Sequence, residues 1–283
     1  MATPLSLIQR IQFALTEDAP NGDITSQFMI NSTHESMAHI IAKQKGIFYG
    51  EKIIYAFNTI HKESLVITNL KKDGESFNNQ TVLLKLEGNT QTILLVERVL
   101  LNLLQRCCGI ATTTQNMVQA LNNKTIDILD TRKTSPLWRD LEKEAVLAGG
   151  GKNHRESLSD MMLIKENHIK HGIKDPESFH LNLKAHKKKH PHIQIEIEIN
   201  TLSQLENLRF DYVDYILLDN FSLKELDQAI FLCEKNAPHA KIEISGNISQ
   251  KSILSLSDKK IHRISCGALT HSVKACDLSL LIL

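Results

Sequence analysis

The sequence predicts an α/β protein whose C-terminal half is either a barrel or a doubly wound sheet of parallel strands. From about residue 126, apolar strand-like runs alternate with helical stretches of roughly 8–15 residues, as parallel strands joined by crossover helices require. Nearly every one of these runs ends in polar residues, and α/β proteins carry their chemistry at such strand ends. The first hundred residues mix element types and predict a separate part of the fold.

The composition is that of an ordered protein with a sizeable core. Of the 283 residues, 42% are hydrophobic and 23% are charged. The 33 basic and 32 acidic residues give a net charge of +1, which excludes a broad nucleic-acid-binding surface. We expect a cytoplasmic protein, since no apolar run is long enough to span a membrane and the N-terminus does not resemble a signal peptide. The five cysteines form no C-x-x-C pair, so neither a zinc site nor a disulfide framework is expected.

The N-terminal elements follow from local patterns. Leu5, Ile8, Ile11 and Leu15 have helical spacing, and this helix ends before a turn-forming Pro-Asn-Gly-Asp sequence. The predicted elements that follow are strands at 37–43, 65–69 and 81–87 and helices at 51–61 and 91–108. The last helix is strongly apolar but carries Arg98 in its middle, which marks that residue as a candidate for function.

The C-terminal elements are more regular. Strands are predicted at 126–130, 161–165, 193–199, 214–219, 241–245 and 262–266. Helices are predicted at 136–148, 177–189, 201–209, 222–235 and 249–257. In the third strand Glu196 and Glu198 alternate with isoleucines, so the carboxylates share one face. That face is either a polar barrel interior or the solvated side of an edge strand, and the spacing alone favours neither.

Basic residues gather near the same strand ends. They are Arg132, Lys133, Lys152, His154, Arg155 and Lys165. Converging cations indicate an anionic ligand with several charges, since Lys and Arg are rarely buried without a partner. The alternative is a set of surface ion pairs with Glu142, Glu144 and Glu156.

Glycines occur where a phosphate could bind. Gly149–Gly151 account for three of only twelve glycines, which indicates close backbone approach or unusual dihedral angles. Ser245-Gly246 and Gly267-Ala268 each stand between a strand and a helix start, where backbone N–H groups can meet an anion. Two such pairs on neighbouring strands predict a phosphate cradle.

Several blocks of the sequence resemble one known family. The central signature of the quinolinate phosphoribosyltransferases, or nicotinate-nucleotide pyrophosphorylases (carboxylating), is similar to DTRKTSPLWRDLEKEAVLAGGGKNHRESLSDMMLIKENHI. The resemblance begins at EDAPNGDITS and continues through ERVLLNLLQRCCGIATTT, IEIEINTL, YILLDNFS, IEISGNIS and ISCGALTHSVKACDLSL. So many ordered blocks at consistent spacing make the match specific.

The resemblance implies an N-terminal α/β sandwich domain and an incomplete (open), seven-stranded α/β barrel. We expect the sandwich at 1–110, the barrel at 111–269, and a C-terminal segment, 270–283, that packs with the sandwich. The family also implies a homodimer in which the partner's sandwich domain covers each barrel mouth.

The implied reaction converts quinolinate and phosphoribosyl pyrophosphate into nicotinate mononucleotide, pyrophosphate and CO₂, with Mg²⁺ required. By resemblance, Arg132, His154 and Arg155 bind quinolinate, with Arg98 supplied to the neighbouring site of the dimer. Lys133 and Lys165 match lysines that contact the anionic groups. Glu198 and Asp219 match carboxylates near the ribose hydroxyls and Mg²⁺, which they would hold indirectly. The residues matching the 5′-phosphate end are Ser245, Gly246, Gly267 and His271.

Four positions depart from the family pattern. Leu137 and Ser157 stand where the family often has glycine, and Cys108 and Cys266 stand where other small or branched residues are usual. All four lie beside the expected contacts, although Ser157 could alter the loop that holds Arg155.

Three other functions compete with this prediction. A paralogue associated with molybdenum transport shares the resemblance but acts on a different substrate, and the basic set from Arg98 to Arg155 favours the quinolinate enzyme. A Schiff-base aldolase could use Lys165 at its strand end. A non-catalytic anion-binding protein would have little use for Glu198 and Asp219.

Overall fold

The computed structural model describes residues 5–172 and 175–283, which divide into two compact units. Unit 1 comprises Met1–Gln115, Ser135–Gly150 and Ser272–Leu283, and unit 2 comprises Asn116–Thr134 and Gly151–His271. The predicted domain boundaries at 110 and 269 stay predictions.

Unit 1 is built on a four-stranded antiparallel sheet. The strands of unit 1 are β1 (Glu35–Ala42), β2 (Gly46–Ile47), β3 (Leu65–Asn69), β4 (Ser76–Phe77), β5 (Val82–Asn89) and β12 (Leu278–Ile282). Its helices are α1 (Leu7–Asp18), α2 (Ile24–Met29), α3 (Glu51–Ile60), α5 (Arg139–Ala148) and the first part of α4 (Thr90–Leu121). The sheet has the order β12-β1-β5-β3, while β2 and β4 form a separate pair. Ala38, Ile40 and Ala42 alternate along β1 and are fully buried, as the two-residue period of a strand requires.

Helix α4 is much longer than the predicted 91–108. It continues through Gly109 and the threonines that follow, to Leu121. Thr112 and Thr114 donate their hydroxyls to the carbonyls of Cys108 and Ile110 four residues earlier, so these residues do not compete with the helix. A side chain at Gly109 would overlap the backbone of Lys274, so this glycine serves packing and does not end the helix.

Unit 2 contains a six-stranded parallel sheet, which confirms the α/β class. Its strands are β6 (Asp127–Leu129), β7 (Met162–Ile164), β8 (Ile195–Ile199), β9 (Tyr215–Asp219), β10 (Lys241–Ser245) and β11 (Arg263–Ser265), in the order β6-β11-β10-β9-β8-β7. The helices around it are α6 (Glu166–Gly172), α7 (Pro176–Lys189), α8 (Leu202–Asn207), α9 (Leu223–Asn236) and α10 (Ala268–His271). Capping boxes start α8 at Thr201 and α9 at Ser222.

The parallel sheet is curled into an open barrel. Arg263 on β11 contacts Glu196 on β8 at 2.8 Å, although β10 and β9 lie between them. Three strand spacings span about 14 Å in a flat sheet, too far for side chains that stand perpendicular to it. Where a seventh strand was expected, the described residues show a single parallel bridge between Leu129 and Lys152. The barrel therefore has six regular strands and a minimal seventh segment beside β6.

The predicted helix at 249–257 is wrong. The segment contains a short 3-10 helix at Ile253–Leu256, preceded by turns. Its serines bond to one another and to the local backbone: the Ser249 amide donates to Ser252 Oγ, and Ser255 Oγ donates to the Ser252 carbonyl. Such local bonds offer the backbone an alternative to the α-helix.

Within residues 5–172 and 175–283, no helix is both long and apolar enough to cross a bilayer.

Candidate active site

A cavity of about 800 Å³ opens at the C-terminal ends of the barrel strands in unit 2. All the predicted site residues except Arg98 line it. They are Arg132, Lys133, His154, Arg155, Lys165, Glu198, Asp219, Ser245, Gly246, Gly267 and His271. Arg98 lies on α4 in unit 1, where its side chain is 60% exposed and its guanidinium is 3.9 Å from the neighbouring Glu97 carboxylate.

Strand β8 faces the barrel interior with its carboxylates, which decides the question that its spacing left open. It lies between β7 and β9, so it is not an edge strand. Ile195, Ile197 and Ile199 are buried on one face, while Glu196 is fully buried on the other. Glu198 lies on the same face two residues further along β8, closer to the cavity, and 12% of its side chain is exposed.

Two carboxylates from adjacent strands form the acidic wall of the cavity. Glu198 Oε2 accepts a hydrogen bond from Lys165 Nζ at 2.6 Å. Asp219 accepts from the Ser245 hydroxyl with one oxygen and from Asn220 Nδ2 at 2.7 Å with the other. These bonds hold both groups in place. Lys165 Nζ is therefore engaged by a carboxylate, whereas a Schiff-base role needs an amine that is free to attack a carbonyl.

The opposite wall carries cations that the protein does not neutralise. Among the described residues, Arg132, Lys133 and Arg155 make no ion pair with a carboxylate, and Arg132 Nε is buried without a hydrogen-bond partner. Arg155 Nη1 donates to the Met161 carbonyl at 3.0 Å. Burial and the positive charge of Arg132 lower the pKa of Arg155. An anion placed between these guanidiniums would relieve both effects.

The sequence left open that the basic set forms surface ion pairs with three glutamates. Two of those glutamates are paired with residues outside the basic set. Glu142 pairs with Arg106 at 2.7 Å and Glu144 pairs with Lys52 at 2.6 Å. One other residue of the basic set also departs from the prediction. Lys152 pairs with Asp127 at 2.9 Å and does not line the cavity, because its side chain extends back to the start of β6.

Backbone turns close the third side of the cavity. Gly246 follows β10 with φ of +97°, and a Cβ there would overlap the side chain of Asn220. Asn220 and Asn247 also have positive φ, of 58° and 49°. Gly267 follows the adjacent strand β11, where a Cβ would press on His271 and Lys133 at about 3.0 Å. Residues without bulk at these two strand ends leave the backbone open to a ligand.

A cluster of four charged or titratable side chains lies inside the barrel beneath the cavity. His154 Nε2 lies 3.0 Å from Glu196 Oε2 and 3.4 Å from Glu243 Oε1. Arg263 bonds both glutamates from the other side, and its Cζ lies 3.4 Å from the centre of the Tyr215 ring. Burial alone would lower the pKa of His154, but hydrogen bonds and charge from the two carboxylates outweigh it and raise that pKa.

His154 Nδ1 makes a further contact that opposes a second proton. It accepts a hydrogen bond from the backbone amide of Arg155 at 2.8 Å, which only an unprotonated nitrogen can do. One proton on Nε2 satisfies the carboxylates and leaves Nδ1 able to accept. The carboxylates thus favour a proton on Nε2, while the amide of Arg155 opposes a second proton on Nδ1.

Two groups of residues could be considered for a metal. His154, Glu196 and Glu243 offer ligand atoms within 4.8 Å of one another, but Arg263 already bonds both carboxylates and would repel a divalent cation. Glu198 and Asp219 offer hard oxygen ligands at the cavity, where Mg²⁺ could keep most of its water shell. The second pair fits Mg²⁺ better.

Sequence reasoning missed several residues of the site. Asn220 and Asn247 line the cavity in left-handed conformations, and the Asp-Asn and Gly-Asn pairs after their strands were the signal that could have found them. Glu243 and Arg263 alternate with apolar residues in their strands just as Glu196 does. That alternation marks an inward face, but not which partners meet across the barrel.

The departures from the family pattern have local structural consequences. Ser157 Oγ donates to Asp160 Oδ1 at 2.6 Å, and the amides of Glu156 and Ser157 donate to Asp160 Oδ2, which ties the loop after Arg155 together. Leu137 has φ of +67° and is 68% exposed. Cys266 is buried among the lining residues, and burial raises the pKa of its thiol.

Comparison with known proteins gives full-length matches. Residues 23–108 match a family model described as quinolinate phosphoribosyl transferase, N-terminal domain, and residues 110–281 match the corresponding C-terminal domain. A probable nicotinate-nucleotide pyrophosphorylase [carboxylating] of Bacillus subtilis is 37% identical over 276 residues, 98% of this chain and 93% of the relative. Quinolinate phosphoribosyltransferase [decarboxylating] 1 of Nicotiana glauca is 37% identical over 287 residues, 96% of this chain and 81% of the relative.

Solved structures give the same result. NadC from Streptococcus pyogenes superposes with a TM-score of 0.87 at 33% identity, and the match covers 100% of both chains. The nicotinate-nucleotide pyrophosphorylase from Francisella tularensis has a TM-score of 0.87 at 32% identity, covering 100% of this chain and 98% of its own. The predicted combination of an N-terminal α/β domain with an open parallel barrel is confirmed by these matches.

Proposed function

This chain belongs to the quinolinate phosphoribosyltransferase family, and from that membership we propose that it transfers the phosphoribosyl group of phosphoribosyl pyrophosphate to quinolinate, with decarboxylation. The products are nicotinate mononucleotide, pyrophosphate and CO₂, in NAD biosynthesis. The observation that carries the proposal is a single cavity that joins three unpaired cations with the carboxylates of Glu198 and Asp219. Such a cavity suits two polyanionic substrates and a reaction that develops positive charge between them.

The basic wall would hold quinolinate, whose two adjacent carboxylates need paired cations. Arg132 and Arg155 can each bind a carboxylate in a bidentate manner, and His154 lies beside them. Arg98 would complete this pocket in the neighbouring site of a dimer. The exposure of Arg98 on α4 and its loose contact with Glu97 support this role, because its guanidinium is available to another molecule.

The remaining lining would hold phosphoribosyl pyrophosphate. Lys133 and Lys165 would contact anionic groups, including pyrophosphate. The 5′-phosphate would lie at the turns after β10 and β11, with Ser245, Gly246, Gly267 and His271. The absence of a side chain at Gly246 and Gly267, which both line the cavity, supports this assignment, since it leaves the backbone of the two turns accessible to a phosphate.

The chemistry follows from charge. Cleavage of the bond between the anomeric carbon and pyrophosphate leaves a ribose with oxocarbenium character, which Glu198 and Asp219 stabilise electrostatically. The pyridine nitrogen forms the new bond to that carbon and becomes cationic. The C2 carboxylate then leaves as CO₂, its bonding electrons remain at C2 as an ylide, and the ylide takes up a proton. No protein nucleophile is needed, and positioning supplies much of the rate.

Mg²⁺ is part of the proposal. Glu198 and Asp219 would hold it through water, because Lys165 and Ser245 already bond their oxygens. When bound, the ion would neutralise charge on the departing pyrophosphate.

The proposed assembly is a homodimer. Unit 1 exposes large apolar side chains on α1 and α2, including Phe13, Ile24, Met29 and Phe28, of which the last is 86% exposed. Four large apolar side chains exposed within residues 13–29 support a protein–protein contact at this part of unit 1. The cytoplasmic location remains a prediction, and some plant relatives carry "mitochondrial" or "chloroplastic" in their names.

The test is a direct assay with purified protein, quinolinate, phosphoribosyl pyrophosphate and Mg²⁺, which follows nicotinate mononucleotide and CO₂. Nicotinate in place of quinolinate is the matched control. We expect product from quinolinate only. A folded protein that makes no product would contradict the proposal and favour the molybdenum-transport paralogue.

A further inference from the structure

The buried cluster beneath the cavity has no role in the chemistry described so far. Glu196, Glu243 and Arg263 do not line the cavity, and both glutamates have 0% exposure. Burying charged groups is costly, and a well-packed apolar core of the same volume would be as stable or more stable. Their place beneath the basic wall therefore calls for an explanation other than stability.

The cluster is connected to the cavity through one residue. Arg263 donates a hydrogen bond to Glu196 at 2.8 Å and forms an ion pair with Glu243, so that one guanidinium holds the two carboxylates together. His154 Nε2 lies within hydrogen-bond distance of both carboxylates. His154 Nδ1 in turn accepts a hydrogen bond from the backbone amide of Arg155. The chain of contacts thus runs from β11 through β8 and β10 to the loop that carries Arg155.

The same loop is fixed at the backbone of His154. The His154 amide donates to Asp130 Oδ1 at 2.9 Å, and Asp130 is itself fully buried at the end of β6. With its backbone fixed by Asp130 and its ring fixed by the glutamates, His154 presents Nδ1 in a single direction. The position of the Arg155 amide, and so the start of its side chain, follows from that direction.

We propose that Glu196, Glu243 and Arg263 are positioning residues that act through His154 to aim Arg155 at a quinolinate carboxylate. None of the three touches substrate. Both ring nitrogens of His154 are engaged by the protein, so His154 also acts mainly by position. This inference rests on the proposed function, because it names the substrate whose binding the cluster controls.

The test measures KM for each substrate separately. In Glu196→Gln we expect KM for quinolinate to rise by about tenfold or more, because the neutral amide holds the imidazole and Arg263 more weakly. KM for phosphoribosyl pyrophosphate should stay within about twofold, since none of its proposed contacts is positioned by His154 or by the loop that carries Arg155. Equal increases in both constants, or a lower melting temperature with both constants unchanged, would show a structural role and overturn the proposal.

A double-mutant comparison shows whether Glu196 acts on quinolinate binding by way of His154. In His154→Ala, adding Glu196→Gln should produce no further rise in KM for quinolinate, because the connecting group is already gone. A further rise of similar size would overturn the proposed route. Ring ¹⁵N shifts of His154 give an independent readout: one protonated Nε2 and one unprotonated Nδ1 in the wild type, and a changed pattern in Glu196→Gln.

Variants on the other cluster members keep the test decisive if Glu196→Gln does not fold. Glu243→Gln removes the second carboxylate, and Arg263→Lys keeps the charge but cannot bond both glutamates as guanidinium does. Both should raise KM for quinolinate selectively. Glu177→Gln is the control, since it breaks the exposed 3.1 Å ion pair with Arg209, which has no contact with the cluster, and should change neither KM.

Failure of this inference can be distinguished from failure of the proposed function. If the wild type neither converts quinolinate nor binds it in calorimetry, the proposed function fails, and this inference fails with it. If the wild type is active and the cluster variants leave KM for quinolinate unchanged, only the positioning role is wrong.

Discussion

Asp219 shows how the fold prepares one carboxylate for the proposed chemistry. It ends β9, and its two oxygens are occupied by the Ser245 hydroxyl and the Asn220 amide. These neutral donors orient the group without cancelling its charge. Glu198 differs, because Lys165 offsets its charge directly. Asp219 is therefore the carboxylate whose charge remains more available to a developing cation.

We expect Asp219→Asn to lower kcat by about 10²–10³-fold, because the side chain keeps its shape but loses the charge that faces the ribose. Steady-state rates at saturating substrates measure the effect. Asp227→Asn, which removes a surface carboxylate paired with Lys259, serves as the control and should leave kcat unchanged. A loss of less than about threefold in Asp219→Asn would argue against this electrostatic role.

Leu137 is a residue whose conformation opposes its side chain. Its φ of +67° is costly for any residue with a Cβ, and its exposure leaves little packing to offset that cost. Leu137→Gly should raise the free energy of unfolding by about 0.5–1 kcal/mol, measured by urea denaturation. Leu147→Gly, at an exposed leucine in α5, should lower it by about 1 kcal/mol instead. Equal destabilisation by both would contradict the assignment of strain to Leu137.

At the scale of elements, the strand ends carry the site. The turn after β10 needs a residue without a Cβ, because Gly246 combines a φ of +97° with close contact to Asn220. Gly246→Ala should raise KM for phosphoribosyl pyrophosphate by at least about tenfold, since the shifted turn moves the proposed 5′-phosphate contacts. Gly172→Ala is the control, because nothing lies within 4 Å of a Cβ there. Unchanged kinetics in Gly246→Ala would place the phosphate elsewhere.

Helices α1 and α5 are joined by a buried arginine. Arg10 bonds Asp140 at 2.7 Å and the carbonyl of Leu137, and its Cζ lies 5.2 Å from the Trp138 ring centre. Burial would raise the pKa of Asp140, but the bonds and charge of Arg10 outweigh it and lower that pKa. The ionised carboxyl thus stabilises the fold above the unfolded pKa of about 4 and loses this effect as pH falls through the lowered folded value.

Arg10→Met should therefore reduce the free energy of unfolding at pH 7, and the difference from the wild type should narrow below about pH 4. Urea denaturation of both proteins between pH 7 and pH 3 measures it. A difference that stays constant over this range would mean that the packing of Arg10, and not its ion pair with Asp140, supplies the stabilisation.

The elements also show which local patterns can be predicted. The six barrel strands were found within two residues at each end, because each is an apolar run that ends in polar side chains. Helix α4 was predicted too short and 249–257 was predicted as an α-helix. In both places the error comes from hydroxyl side chains, which support the helix in α4 and favour turns at 249–257. Threonines at 112 and 114 bond back along their helix, while serines at 249–255 bond into turns.

At the scale of the whole molecule, the proposed dimer makes a quantitative prediction. Arg98→Ala and Lys165→Ala should each be nearly inactive alone, because each removes a cation from every site. Random mixing of the two after unfolding and refolding should restore about one quarter of wild-type activity, since half the dimers are mixed and each has one intact site. Size-exclusion chromatography checks that dimers form. No recovery in mixed dimers would show that Arg98 does not serve a neighbouring site.

The sequence by itself determined the strand positions, the alternation that puts Glu196 and Glu198 on one face of their strand, the position of Asp219 at a strand end, and a cationic set near the strand ends. These are local properties, because strand period and polar termination can be recognised within a few residues. Only the tertiary structure decided that Arg263 meets Glu196 and Glu243 across the barrel, and that His154 links them to Arg155. Those contacts join residues up to 89 positions apart, such as His154 and Glu243, and they exist only because the sheet curls on itself.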